Sequence, residues 1–315
     1  MIISKYSQLT DKMHYKKADK VCKRGKYMHL GQLKLFFTEL LFLTKYASPG
    51  DKILYIGAAP GYHTWILAGM FPECNFELWD PRKFARIYRD KPRKNVILYN
   101  EMFKNSAARG YKEGSENCLL LCDIRDLDVA GTKNVNDLNS FQIIVGKDME
   151  LQLEWCRIIR PKKAYLKFKL PYAGGGNGTS EYLQGTIYLQ PYSKISNETR
   201  LSTSDYDTMQ SYNVLEFEEK MAHHNATTRC SPYNEDVWED IMKKNNLRSS
   251  WDTVYALYVT FSFVKRKYGT GKDADLMQLA VDEYLEIIKI HKEEYILRKI
   301  STARFEALFI KNMDS

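Results

Sequence analysis

The spacing of apolar and polar positions changes period several times along the chain. From Gly31, GQLKLFFTELLFLTKY sets apolar residues at helical spacing and stops at the turn signal Ser48-Pro49-Gly50, which predicts a helix. DKILYIG follows as a short buried strand closing in a Gly-rich turn, and YHTWILAGM reads as the next helix. FELWD (Phe76 to Asp80), NVILY (Asn95 to Tyr99), ENCLLLCD (Glu116 to Asp123) and KAYLKFKL (Lys163 to Leu170) are further strands, with helical stretches or loops between them. GTIYLQP and ETRLSTS are later strands, and beyond Gln210 the pattern turns mainly helical, over 212–224, 235–245, 254–267 and 274–298. Strands alternating with helices predict an α/β domain with a mostly parallel sheet, whose ligand crevice opens at the carboxyl ends of the strands. Residues 1–30 are polar and basic and read as an arm or irregular lead-in, and AGGGNGTS (Ala173 to Ser180) reads as a flexible loop. The charged tail from Glu293 reads as an amphipathic helix or a partly mobile end.

Composition adds one directional hint. At 44% hydrophobic and 27% charged, the 315 residues can bury a real core. The formal charge of +8, from 47 Lys and Arg against 39 Asp and Glu, favours a polyanionic partner as much as plain solubility. Aromatic rings among these cations (22 Tyr, 14 Phe, 5 Trp) suit stacking on unpaired bases, though most rings in any domain are core. The six cysteines are scattered with no CxxC pair, and His223 and His224 are adjacent on a helix and so face different ways, which predicts neither a metal site nor a disulfide framework. No apolar run is long enough to span a membrane, and the N-terminus lacks a cleavable apolar segment, so a soluble, intracellular protein is expected.

Chemistry enters at YIGAAPGYH (Tyr55 to His63). A strand turning sharply into a helix needs Gly57 and Gly61 for close backbone approach to a ligand. Asp80, at the end of the following strand in LWDPR, can accept both ribose hydroxyls of a nucleoside. This combination fits a dinucleotide or an S-adenosylmethionine site, and the turn is not the GxGxxG that a pyrophosphate requires.

The turn has company. GQLKLFFTELLFL before it, then YIGAAPG, WDPR, CDIRD, YLKFKLPY and ETRL in that order, closely resemble the poxvirus cap-specific mRNA 2′-O-methyltransferase family, whose protein also serves as the small subunit of a viral poly(A) polymerase. The resemblance covers roughly residues 12–225 and is most distinctive at GQLKL. It implies a Rossmann-like methyltransferase core over 31–230, preceded by the arm and followed by a helical extension (231–315) packed on it. It also implies S-adenosylmethionine as cofactor without a metal, capped mRNA as substrate, a poly(A) polymerase catalytic subunit as partner, and a cytoplasmic or virion location. By the same resemblance Gln32, Tyr55, Gly57, Gly61, Asp80, Arg82 and Phe103 line the methyl-donor pocket, with Phe103 against the adenine.

Lys34, Asp123, Lys167 and Glu198 match the family's catalytic set. Elementary chemistry agrees: a ribose 2′-hydroxyl is a poor nucleophile, and a lysine can take its proton only if burial or a second cation lowers the lysine pKa. Asp123 and Glu198 would hold the lysines by charge-assisted hydrogen bonds. For the cap, Tyr172 matches one stacking aromatic, Glu198 and Glu218 match the acids on the guanine edge, and Tyr15 stands at the family's spacing before GQLK. Three positions depart from the pattern: Ile195 replaces the second stacking ring, with Tyr192 near enough to substitute, Gly174 replaces an aspartate, and Lys169 replaces an arginine.

Overall fold

The computed structural model describes residues 2–21, 30–124, 138–173, 178–233, 236–269, 271–297 and Phe309. Nine strands are found among them: β1 (Lys52–Ile56), β2 (Asn75–Trp79), β3 (Val96–Tyr99), β4 (Cys118–Cys122), β5 (Lys163–Lys169), β6 (Thr179–Leu183), β7 (Thr186–Tyr188), β8 (Glu198–Thr203) and β9 (Met209–Asn213). The helices are α1 (Tyr15–Val21), α2 (Gly31–Tyr46), α3 (Tyr62–Met70), α4 (Ile87–Asp90), α5 (Asn105–Gly110), α6 (Leu138–Ile159), α7 (Val214–His223), α8 (Asp236–Lys244), α9 (Trp251–Tyr268) and α10 (Asp273–Leu297).

Seven strands form one sheet in the order β3-β2-β1-β4-β5-β8-β7. Strands β1 to β5 are parallel, and β8 runs against both its neighbours. The chain therefore winds outward from β1 in one direction, then restarts at β4 on its other side, which is the switch point where a doubly wound sheet opens a crevice. This is the Rossmann-like α/β architecture expected. The strand ILYI of β1 and CLLLC of β4 are buried throughout because helices cover both faces of this part of the sheet.

Helix α2 starts at Gly31 and ends at Tyr46, as its periodicity predicts. It lies on the sheet through Phe42, stacked on Tyr165 of β5 at 4.7 Å, and against α9. Arg266 of α9 donates to the carbonyls of Leu43 and Thr44 at 3.0 and 2.6 Å, satisfying acceptors that a helix end leaves open. Helices α9 and α10 thus share one core with the sheet: Trp251, Tyr255 and Tyr284 are fully buried.

Two expectations are corrected. Residues 2–21 are no loose lead-in: Ile2 and Leu9 are buried, Lys5 bridges to Tyr188, and Trp251 Nε1 donates to the Ile3 carbonyl at 2.9 Å. Strands β6 and β9 form a separate two-stranded sheet that the pattern did not reveal, since their charged and polar residues face outward and only Tyr182, Leu183 and Tyr212 are buried. Most of the glycine loop, Gly174 included, and the tail beyond 297 lie outside the described residues, Phe309 apart.

Candidate active site

The Gly-rich turn closes β1 directly over the end of β4. Gly57 has φ +83°, and a Cβ there would stand 2.9 Å from the carbonyl carbon and oxygen of Asp123. Glycine is therefore required both by the backbone angle and by the approach of two strand ends. Gly61 (φ +76°) caps α3, and a side chain there would meet Thr64 Oγ1 and the Tyr88 hydroxyl at 2.9 Å.

Next to this turn lies a cavity of about 400 Å³ lined by Gly57, Asp80, Arg82, Phe103, Ile124 and Trp155, among others. Its aromatic wall is rigid: Phe103 meets Trp79 and Trp155 edge-on at 5.1 and 5.2 Å, and Trp79 stacks on Tyr99. Asp80 is buried and already engaged. Its Oδ2 accepts from the Ala59 amide (2.9 Å) and from Arg82 Nη2 (2.9 Å), and its Oδ1 accepts from Arg82 N and Nε at 2.8 and 3.0 Å. A ribose on Asp80 must therefore share or displace the Arg82 guanidinium, whose side chain is 65% exposed and costs little to move. Of the residues expected around the methyl donor, Gly57, Asp80, Arg82 and Phe103 line this cavity. Gln32 and Tyr55 sit behind the turn, facing His63 and Glu39.

The four charged residues scattered over 165 positions of sequence meet at one edge of the cavity. Lys34 Nζ is 2.8 Å from Glu198 Oε1, and Lys167 Nζ is 2.8 Å from Asp123 Oδ1. Lys167 also donates to the carbonyl of Ile124, a cavity residue, at 3.3 Å. Strand alternation explains the grouping. Lys167 and Lys169 project from one face of β5, and their register partners across the antiparallel ladder are Arg200 and Glu198.

Arg200 is the member that sequence reasoning missed. It is fully buried, donates to Asp123 Oδ1 at 2.6 Å and to Gln190 Oε1 at 3.0 Å, and stands opposite Lys167. Two cations directly across a ladder repel, and Asp123 between them offsets that. Its signal was present: Arg200 lies two residues after Glu198 in a strand, hence on the same face. Gln152 of α6 was also missed, and no sequence signal marks it. The β4–β5 ladder ends at Leu166, and the buried Gln152 amide takes over, accepting from Lys167 N at 3.0 Å and donating to Lys167 O at 3.1 Å.

The charges set one another's ionisation. Burial lowers the pKa of Lys167; Asp123 and Glu198 oppose that, Arg200 and Lys34 reinforce it, and the net is below the usual 10.5. Burial alone would raise Asp123 and Glu198, but the surrounding Lys167, Lys34 and Arg200 hold both below the ordinary carboxylate range.

The expected cap residues divide. Tyr15 and Tyr172 face each other with ring centroids 6.1 Å apart and tilted by 54°. They border a narrow crevice with about 10 Å³ of free space, shared with Ile195 and Glu218. Glu218 Oε2 accepts from the Ala173 amide at 2.9 Å. Lys169 donates to the Tyr172 hydroxyl at 3.2 Å. Tyr192 does not join them, which corrects its expected role. It is buried in the core, with its hydroxyl 3.2 Å from that of Tyr284 and its ring against Phe37 and Phe309. The α1 helix brings Tyr15 to Tyr172 instead, seated through Ala18 against Ala222 and Ala226.

Comparison with known proteins follows from this geometry. The chain is 26% identical over 207 residues to the cap-specific mRNA (nucleoside-2′-O-)-methyltransferases of two myxoma virus strains, Lausanne and Uriarra. The match takes in 62% of this chain and 59% of each relative, so it spans less than two thirds of their length. A solved sugar N-methyltransferase from Streptoalloteichus overlays 69% of this chain and 85% of its own at 10% identity, but its TM-score of 0.24 carries no weight for fold or chemistry. The model of the poly A polymerase regulatory subunit family matches residues 3–280, nearly the whole chain, and to that family the chain belongs.

Proposed function

We propose that this protein transfers a methyl group from S-adenosylmethionine to the ribose 2′-hydroxyl of the first transcribed nucleotide of capped mRNA. The observation that carries the reading is the buried Lys34–Glu198 and Lys167–Asp123 pairing at the edge of a nucleoside-sized cavity. S-adenosylmethionine would supply an electrophilic methyl, with Asp80 beneath its ribose and Phe103 beside its adenine. In the transfer the 2′-oxygen takes the methyl carbon and gives its proton to Lys167 Nζ, which burial and the neighbouring cations keep ready to accept it. Asp123 and Arg200 fix where Nζ stands, and Lys34, held by Glu198, adds the second positive charge beside the developing oxyanion.

Tyr15 and Tyr172 support the cap as the group that orients the RNA. A methylated guanine is cationic and is favoured between aromatic faces. A base between two rings needs two contacts of roughly 3.5 Å, or about 7 Å in all. The observed 6.1 Å is within an ångström of that, so a modest parting and rotation of the rings admits it. The test is methyl transfer to RNAs ending in a methylated cap, an unmethylated cap or a triphosphate. Transfer confined to capped RNA, and lost by at least a hundredfold in Lys167→Met with S-adenosylhomocysteine binding intact, is expected. Equal transfer to all three would instead assign a general RNA 2′-O-methyltransferase.

The family membership supports a second, compatible role as an RNA-holding subunit of a poly(A) polymerase. Co-purification with a polymerase catalytic subunit, and longer tails in its presence, are the expected outcomes, and both should survive Lys167→Met.

A further inference from the structure

Behind the Gly-rich turn is a second charged cluster that the proposed chemistry does not use. Glu39 of α2, Tyr55 of β1 and His63 of α3 are each at most 2% exposed, and Gln32 of α2 is 8% exposed. His63 Nε2 stands 3.2 Å from Glu39 Oε2 and 3.3 Å from the Tyr55 hydroxyl. His63 Nδ1 stands 2.9 Å from Gln32 Oε1.

Donor and acceptor accounting fixes the protons. The His63 backbone N–H donates to Gln32 Oε1 at 3.3 Å, which orients the amide with its oxygen toward His63. That oxygen is an acceptor only, so Nδ1 carries a proton. The Tyr55 hydroxyl donates to Glu39 Oε1 at 2.6 Å, so its own oxygen faces Nε2 as an acceptor. Glu39 Oε2 has no other polar partner among the described residues, and a buried carboxylate oxygen left alone is costly. Nε2 therefore carries a proton as well. Both ring nitrogens are donors, and the ring is an imidazolium paired with a buried carboxylate.

A buried ion pair is a poor source of stability, since desolvation cancels most of its attraction. It does orient what it touches. With its oxygen taken by the imidazolium, Gln32 can meet a ligand only through its NH2, as a donor. Gln32 lies two residues before Lys34 and beside the start of α3, on the far side of the turn from Asp80 and Phe103. A nucleoside anchored at Asp80 and passing Lys167 reaches Gln32 with its far end. We infer that the Glu39–His63 pair is a positioning device that aims the Gln32 NH2 at the carboxylate of the methyl donor's amino-acid end. The inference rests on the methyl-donor reading above.

The test compares two ligands on the full-length protein: S-adenosylhomocysteine, which has the amino-acid end, and 5′-methylthioadenosine, which lacks it. His63→Phe and Glu39→Gln should each weaken S-adenosylhomocysteine binding roughly tenfold, the loss of one charge-assisted hydrogen bond, and leave 5′-methylthioadenosine within twofold. Gln32→Leu should show the same selective loss, and adding His63→Phe to it should cost nothing further. Should the variants fold poorly, the ¹⁵N shifts of His63 in the unaltered protein decide, with both nitrogens expected in the protonated range. Equal weakening of both ligands, no weakening of either, additive loss in the double variant, or a singly protonated His63 overturns the inference. If the unaltered protein binds neither ligand, the methyl-donor reading itself has failed.

Discussion

At the residue scale, the decisive quantity is the proton on Lys167. A lysine in water holds its proton at neutral pH, and a general base must not. Here burial works toward the neutral amine, Arg200 and Lys34 work with it, and Asp123 and Glu198 work against it. The rate should rise with pH through the lowered pKa of Lys167 and level off before free lysine would. Because Glu198 raises that pKa, Glu198→Gln should move the rising limb to lower pH; because Arg200 lowers it, Arg200→Gln should move the limb to higher pH. Rate–pH profiles at saturating donor and RNA check both directions. Limbs that stay in place in both variants would show that Lys167 orients the hydroxyl without taking its proton.

At the element scale, the site depends on a few places where one element completes another. Strand β4 stops one residue short of Lys167, and the Gln152 side chain of α6 stands in for the missing ladder. Gln152→Leu should leave two buried backbone groups unpaired, destabilising the fold by about 1–3 kcal/mol and lowering kcat more than it raises KM for RNA. Denaturant unfolding together with steady-state kinetics reads both. Gly57→Ala forces a Cβ against the Asp123 carbonyl at a positive φ, so donor binding should fall sharply by calorimetric titration while the RNA contact at Tyr15 and Tyr172 persists. Helix α1 serves only the crevice it borders. Tyr15→Ala should raise KM for capped RNA about tenfold and leave S-adenosylhomocysteine affinity unchanged, as a stacking interaction of about 1–3 kcal/mol implies.

At the scale of the whole molecule, α9 and α10 share the core with the sheet, and their buried histidines make stability depend on acidity. His291 of α10 is buried against Phe36 of α2, and burial brings its pKa down to about 4 from 6.5. Below the unfolded-state value the unfolded chain takes up a proton that the native ring refuses. Native stability therefore falls as pH drops from about 6.5 toward 4, by up to about 3 kcal/mol from this residue. His291→Gln should flatten the dependence of Tm on pH in that window, which calorimetry can measure.

What the sequence determined by itself is the local order. Periods of two and 3.6 marked the sheet strands β1 to β5 and the long helix α2, because a buried strand and an amphipathic helix each advertise their faces in composition. The turn YIGAAPG with Asp80 marked the nucleoside end, because glycines at sharp turns and a carboxylate at a strand end have few other uses together. Motif order brought out Lys34, Asp123, Lys167 and Glu198 one by one. Only the tertiary structure decided how they pair, and that Arg200 belongs with them, since charge partners are chosen across a ladder and not along a chain. It likewise took Tyr192 out of the crevice and put Tyr15 in, because a ring's neighbours depend on how helices seat. The Glu39–His63 pair had no signature at all, since its meaning lies in which atoms face which, and linear spacing carries no such information.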